Sequence, residues 1–166
     1  MASHPAHDHA VDHAHERLGL SGRALASELK AAEARCLDDG QKLTPARRRV
    51  LQLLMQAGQP VKAYDLIASF GQGDQGPAKP PTVYRALEFL ERQGLAHRIE
   101  SLAAFVACRR GDGGHAAAFL ICDCCGKTQE VEAPVGEALK QVAAESGYAI
   151  QSVAIEGHGR CAACRV

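Results

Sequence analysis

Two cysteine pairs at one spacing, Cys122-Asp-Cys-Cys125 and Cys161-Ala-Ala-Cys164, constrain this chain more than any other feature. A C-x-x-C turn lets both sulfurs face one ion, and two such pairs can place four thiolates tetrahedrally around zinc. Cys161 follows Cys125 by 36 positions, a longer interval than a compact zinc ribbon uses. Such a site would tie the first strand of the second half to the chain end. Four thiolates close the coordination sphere, which favours structure over catalysis. A redox-active C-x-x-C or a disulfide competes for either pair alone; two pairs in one domain weigh toward zinc. Cys124 alternates with Cys122 along a strand and reads as a spare thiol.

The 166 residues give room for one ordinary domain or two small ones. Small domains bury little surface and usually need a metal or a partner subunit, and the absence of Trp beside four Phe and three Tyr points the same way. Net charge is zero with His neutral, so the sum does not mark a nucleic-acid binder. The distribution is more telling. Positive charge gathers at Lys42, Arg47, Arg48 and Arg49, then at Lys79, Arg85, Arg92 and Arg98, while acids concentrate from Glu28 to Asp39 and from Glu130 to Glu145. No stretch approaches the ~18 apolar residues of a membrane span. The N-terminus carries His4, His7, His9, His13 and His15 in place of the apolar core of a secretory signal. Residues 1–20 read as a disordered tail, with weak metal scavenging as the second reading. Seven cysteines without a signal fit a reducing compartment, and the cytoplasm is the expected location.

From Ser21 the pattern is helical, with Leu25, Leu29, Ala32 and Cys36 in one stripe up to Gly40. Thr44-Pro45 is a helix start, its hydroxyl placed to cap free N–H groups, and Ala46, Val50, Leu54 and Ala57 form a stripe that Gly58 ends. A further helix covers Ala63 to Phe70, with Tyr64, Ile67 and Phe70 on one face, followed by a loop over 71–77. The next opens at Pro80-Pro81-Thr82. Val83, Ala86, Leu87 and Leu90 point inward, Tyr84, Arg85, Glu88 and Arg92 outward, and Gly94 stops it. Leu95–Glu100 and Ala103–Cys108 read as two short strands. Helices followed by a β-hairpin give the order of a winged helix-turn-helix. After a hinge at Gly111–Gly114, strands near 117–122 and 127–132, a helix over 134–146 and a strand over 148–156 form a second module. It is too small to bury its own sheet faces, so self-association is expected. The fold class is α+β: a winged helix over 21–110 and a small α/β domain over 115–166.

Outward Tyr84 and Arg85, with Thr82 and Lys79 at the head of the same helix, are residue types that contact DNA: Arg pairs bidentately with guanine, and an aromatic ring meets a thymine methyl. Arg47 and Arg48 open an earlier helix suited to phosphate contact. Taken alone, His97, Cys108, His115 and Glu130 read as a strand histidine, a small buried cysteine, a loop histidine and a solvated glutamate, and spacing does not join them.

The segments Ala78–Leu90, Leu43–Arg49, Phe119–Gly126 and Glu156–Cys164, in this order, resemble the zinc uptake branch of the ferric uptake regulator family. The resemblance covers roughly Glu28 to Cys164. It implies a homodimer that binds pseudo-palindromic operator DNA as a metal-loaded repressor. It implies a structural zinc at Cys122, Cys125, Cys161 and Cys164 and a regulatory zinc at His97, Cys108, His115 and Glu130, two ions per subunit. Two imidazoles, one thiolate and one carboxylate suit tetrahedral zinc. Cys108 weighs against the iron, manganese and peroxide sensors of the family. Closed four-ligand sets weigh against a metal-dependent enzyme, which needs an open coordination position; a zinc store is the remaining rival. No membrane and no small-molecule substrate are expected. His158 is open between a surface residue and an auxiliary ligand.

Overall fold

Helix α1 (Gly22–Asp38) buries the expected stripe of Leu25, Leu29, Ala32 and Cys36 against α2 (Pro45–Ala57). The computed structural model describes residues 19–72, 79–108, 117–132, 134–150 and 153–165. The histidine-rich segment before Gly19 and the hinge at 111–114 lie outside them. Pro45 occupies the first turn of α2, where its fixed φ suits the helix and no N–H is needed. Thr44 makes no side-chain cap, contrary to the sequence expectation, so the proline alone marks this start. The helix ends at Gly58, whose φ of 61° closes the last turn with its N–H on the Leu54 carbonyl.

A two-residue strand, β1 (Val61–Lys62), leads into α3 (Ala63–Phe70). Ala63, Leu66 and Phe70 are buried, while Tyr64 is 78% exposed. The buried stripe runs at i, i+3 and i+7 from Ala63 and leaves Tyr64 beside it, apart from the Phe70 with which it was expected to share a face. Helix α4 (Pro80–Arg92) buries Val83, Ala86, Leu87, Phe89 and Leu90 and exposes the opposite face as expected. The wing follows as β2 (Ala96–Ile99) and β3 (Ala104–Ala107), paired antiparallel from Ala96↔Ala107 to Ile99↔Ala104. β1 adds to β3, giving a three-stranded sheet in the order β1-β3-β2.

The second sheet has the order β5-β4-β6, with β4 (Ala117–Cys122) central, β5 (Thr128–Val131) antiparallel to it and β6 (Ala154–Gly159) parallel. Helix α5 (Val135–Glu145) lies in the crossover. The last strand therefore begins six residues later than Tyr148. Residues 148–150 form no strand, and β6 runs on through Gly157, His158 and Gly159. Its register explains the shift: β6 must bring Gly159 opposite Cys122 for the following Cys161 to reach the end of β4. The tertiary constraint overrides the better strand formers upstream.

Two cores result. One unites α1 to α4 with the wing strands around Val50, Leu51, Leu54, Val83 and Leu90. The other joins the wing to the second sheet, with Ile99, Leu102 and Val106 against Ala117, Phe119 and Ile121. Helix α5 buries Ala143 and exposes Val135, Leu139 and Val142. Among the described residues, no helix is long and apolar enough to cross a membrane. Leu54 is fully buried at the centre of the first core. Leu54→Ala is expected to lower unfolding free energy by roughly 2–5 kcal/mol, read from denaturant unfolding of the zinc-loaded protein.

Candidate metal centres and nucleic-acid interface

The parallel pairing of β4 and β6 delivers the two cysteine pairs to one place. Cys122 ends β4, and the chain turns back with the Gly126 N–H on the Cys122 carbonyl. The Asp123 N–H donates to the Gly159 carbonyl at 2.8 Å, fixing the end of β6 beside this turn. Cys161 opens a single 3-10 turn that brings Cys164 round, its N–H 2.9 Å from the Cys161 carbonyl. The sulfurs of Cys122, Cys125, Cys161 and Cys164 all lie within 4.8 Å of one another. Cys125 Sγ and Cys161 Sγ are 3.8 Å apart. A zinc–sulfur bond of about 2.3 Å in a tetrahedron implies a sulfur–sulfur edge of about 3.8 Å, so the cluster has the dimensions of a zinc tetrathiolate.

The backbone already favours one thiolate. The Cys161 N–H, 3.3 Å from Cys122 Sγ, and the Cys125 N–H pull the Cys122 thiol down to about 6. Cys125 feels the Lys127 N–H in the lowering direction, but neighbouring thiols and burial push it above the usual range. Cys164 is raised by the Cys161 thiol first and by burial second. An array of one thiolate and protonated neighbours is what a divalent soft-ligand ion would complete by displacing protons. Cys124 is exposed and outside this sulfur set. His158 is also outside it: its Nδ1 lies 3.0 Å from Asp123 Oδ1, and this carboxylate holds the imidazole above its ordinary range.

A second cluster forms where the wing meets the second sheet. His97 pairs with Val106 across the wing, and Cys108 lies two residues beyond Val106, so His97 and Cys108 share a face. Glu130 comes from β5, opposite Phe119. Ligand atoms of His97, Cys108 and Glu130 lie within 4.8 Å of one another. His97 Nε2 is 3.6 Å from Glu130 Oε1, with the two side chains only 14% and 6% exposed. The Phe119 ring meets the His97 ring edge-on at 5.8 Å. One imidazole, one thiol and one carboxylate drawn together with little exposure form a donor set that fits a borderline ion such as zinc better than a hard cation. His115 lies outside the described residues.

The exposed face of α4 presents Tyr84, 49% exposed, with Arg85, and its first turn presents Thr82 after the exposed Lys79. Arg48 is exposed as well. The Arg47 guanidinium carbon stands 3.5 Å from the Phe89 ring centroid, and Nη1 donates to the Lys42 carbonyl at 2.6 Å. It braces α2 against α4, a cation–π contact within the protein. Tyr64 is a further exposed aromatic; its place off the buried stripe of α3 is the signal that could have found it.

The sequence profile described as the ferric uptake regulator family matches residues 38–158. The chain is 41% identical over 138 residues to the zinc uptake regulation protein of Escherichia coli K12, covering 82% of this chain and 80% of that one. A solved zinc uptake regulator complexed with zinc and DNA is 39% identical and superposes with a TM-score of 0.76, covering 86% of this chain and 95% of that one. A protein called XcZur is 42% identical in both of its solved states. Its holo form superposes with a TM-score of 0.72 over 82% of this chain and 96% of that one. Its apo form superposes with a TM-score of only 0.50 over 86% of this chain and 98% of that one.

The sulfur geometry separates the cysteines experimentally. Cys161→Ser is expected to lose the chelator-resistant zinc and to yield poorly folded protein, whereas Cys124→Ser should retain both zinc and fold. Metal analysis after mild chelation, with far-UV circular dichroism, reads the difference. Loss of the resistant zinc on Cys124→Ser would place Cys124 among the ligands.

Proposed function

The chain belongs to the ferric uptake regulator family, and from that premise we propose that it is a zinc-responsive transcriptional repressor of zinc-uptake genes. It would bind pseudo-palindromic operator DNA as a zinc-loaded homodimer in the cytoplasm. The observation that carries this reading is the second cluster, whose ligands come from both halves of the chain: His97 and Cys108 from the wing, Glu130 from the second sheet. In this reading residues 21–110 form the DNA-binding domain, 111–114 a hinge and 115–166 the dimerisation domain, with His115 as the fourth ligand. Cys122, Cys125, Cys161 and Cys164 hold a structural zinc, making two ions per subunit. A regulatory zinc, when bound, supplies coordinate bonds to ligands on both sides of the hinge.

The chain's own residues account for the remainder. With the wing held on the second sheet, α4 keeps a fixed angle to the dimer core. Two α4 helices related by the dimer axis can then enter successive major grooves. Tyr84 and Arg85 read base edges there, while Arg48, Lys79 and Thr82 contact the backbone. When the second cluster is empty, the competent arrangement is less populated and operator binding weakens. The better superposition on the holo than on the apo form of XcZur, at equal identity, supports a closed arrangement here. Exposed Val135, Leu139 and Val142 along α5 offer the apolar face that a second copy covers. Cys108 in the second cluster favours zinc over iron, manganese or peroxide sensing. With His115 as fourth ligand both sets would be closed, which weighs against an enzymatic role.

Cys108→Ser is expected to keep fold, dimer and tightly held zinc while abolishing zinc-dependent operator binding. Linkage requires operator DNA to tighten zinc by the factor with which zinc tightens DNA. Equal zinc affinity with and without operator in calorimetric titrations would overturn the mechanism. For the reading helix, Arg85→Ala should cost about 1–3 kcal/mol of preference for operator over random DNA. Arg48→Ala should weaken both alike and lower the salt slope by roughly one unit. Binding to both DNAs across a salt series at saturating zinc distinguishes the two.

A further inference from the structure

Glu156 sits in the middle of β6 and is the register partner of Phe119 on β4, which in turn is the partner of Glu130 on β5. Directly paired residues project from one face of a sheet, so Glu130, Phe119 and Glu156 form a single row. Every member of the row meets the wing. Glu130 approaches His97, and Phe119 meets the His97 ring. Glu156 reaches the turn between β2 and β3: Oε1 accepts the Glu100 N–H at 2.7 Å and Oε2 the Ser101 N–H at 3.3 Å.

These two N–H groups lie beyond Ile99↔Ala104, the last ladder pair of the wing, so the hairpin itself does not use them. The turn is tight. Ala103 has a φ of 47°, and its N–H closes onto the Glu100 carbonyl at 3.1 Å. Burial, to 15% exposure, pushes the Glu156 carboxyl upward. Hydrogen bonds from Ser101 and the Glu100 N–H, with the nearby His158 imidazole, outweigh it and hold the carboxyl below its ordinary range. His158 Nε2 stands 3.6 Å from Glu156 Oε2 while its Nδ1 meets Asp123, so the carboxylate is backed by the turn that carries Cys122 and Cys125.

We propose that Glu156 is a positioning residue that clamps the wing tip to the second sheet, giving the wing a second point of attachment that needs no metal. The inference rests on the reading of the chain as a zinc-dependent operator binder and deepens it. Charge-assisted hydrogen bonds to two successive backbone N–H groups are stronger than neutral ones and specific in geometry. A wing held at its tip samples fewer orientations, so His97, Cys108 and Glu130 meet more often before zinc binds. The competent fraction sets the apparent affinity for both zinc and operator.

The test uses the full-length dimer carrying its tightly held zinc, with Glu156→Ala and Glu156→Gln beside the wild type. Three quantities are read: amide hydrogen exchange at Glu100 and Ser101, zinc affinity of the weaker site by chelator competition, and operator affinity at saturating zinc. In Glu156→Ala both amides should exchange faster, and zinc and operator affinities should each fall on the order of tenfold, with dimer and tight zinc retained. Glu156→Gln keeps one acceptor oxygen and should fall between. It carries the same readouts if the alanine variant fails to fold. Unchanged exchange at both amides in the variants would overturn the clamp, as would faster exchange with wild-type zinc and operator affinities. If the wild type itself bound operator without regard to zinc, the functional reading would fall. The exchange contrast would still decide whether Glu156 holds the wing.

Discussion

Four sulfur atoms at the ends of β4 and β6 carry the second half of this chain. The β5-β4-β6 sheet has little interior of its own: its buried apolar residues are few, and Phe119 and Ile121 pack on the wing. Hydrophobic burial of that extent does not hold a three-stranded sheet in one register. A metal bound by the four sulfurs would, because Cys122 and Cys125 on one strand end and Cys161 and Cys164 after another can meet only when Gly159 stands opposite Cys122. Shifting β6 by one residue would break the sulfur cluster and also turn Glu156 to the other face. The metal geometry and the side-chain row that meets the wing are thus set by one register.

From that row the consequence passes to the DNA-binding half. Phe119 and Ile121 receive Ile99, Leu102 and Val106, so one face of the wing is interior only while it lies on the second sheet. The wing is also continuous with the first core through Ala96, Phe105 and Ala107, and α4 packs on β2. Whatever fixes the wing on the sheet therefore fixes α4. A switch of this construction needs no movement inside either core. It needs only that ligands at the seam, His97 and Cys108 on one side and Glu130 on the other, be satisfied together or apart.

What the sequence disclosed, and what it withheld, follows the range of the forces involved. Pro45, Pro80, Gly58 and the apolar stripes of α1, α2 and α4 act over one or two turns, and the elements appear where these local signals place them. The four cysteines were legible because C-x-x-C is itself a local turn that faces two sulfurs one way. The start of β6 was not, because it is set by a partner strand more than thirty residues away in sequence, and Tyr148 and Ile150 are better strand formers than the Gly157 and Gly159 that the register recruits. β1 escaped for a related reason: two residues have no periodicity, and only the β3 edge makes them a strand. Arg47 resembled its neighbour Arg48 in sequence. The step of about 100° between successive helical residues directs one onto Phe89 and leaves the other exposed. The joining of His97, Cys108 and Glu130 needed a resemblance to be anticipated at all, since their meeting depends on how two sheets stack.

Charge explains why one chain keeps two sites of different character. Four thiolates around a dication leave two net negative charges, which is costly unless cations stand near or water screens the site. Lys127, Arg160 and Arg165 line the groove that also contains Cys122 and Cys161, and the groove opens to solvent on the sheet face away from the wing. That placement suits an ion held permanently, with basic side chains beside it to balance its charge. The seam cluster has one thiol and one carboxylate, enough to neutralise a dication without added cations, and its His97 ring meets the ring of Phe119. A neutral site there adds no charge to the interface between wing and sheet when it fills, and it leaves behind an imidazole–carboxylate pair that can partner each other when it empties. The first arrangement favours permanence and the second reversibility, which is the division a sensor requires.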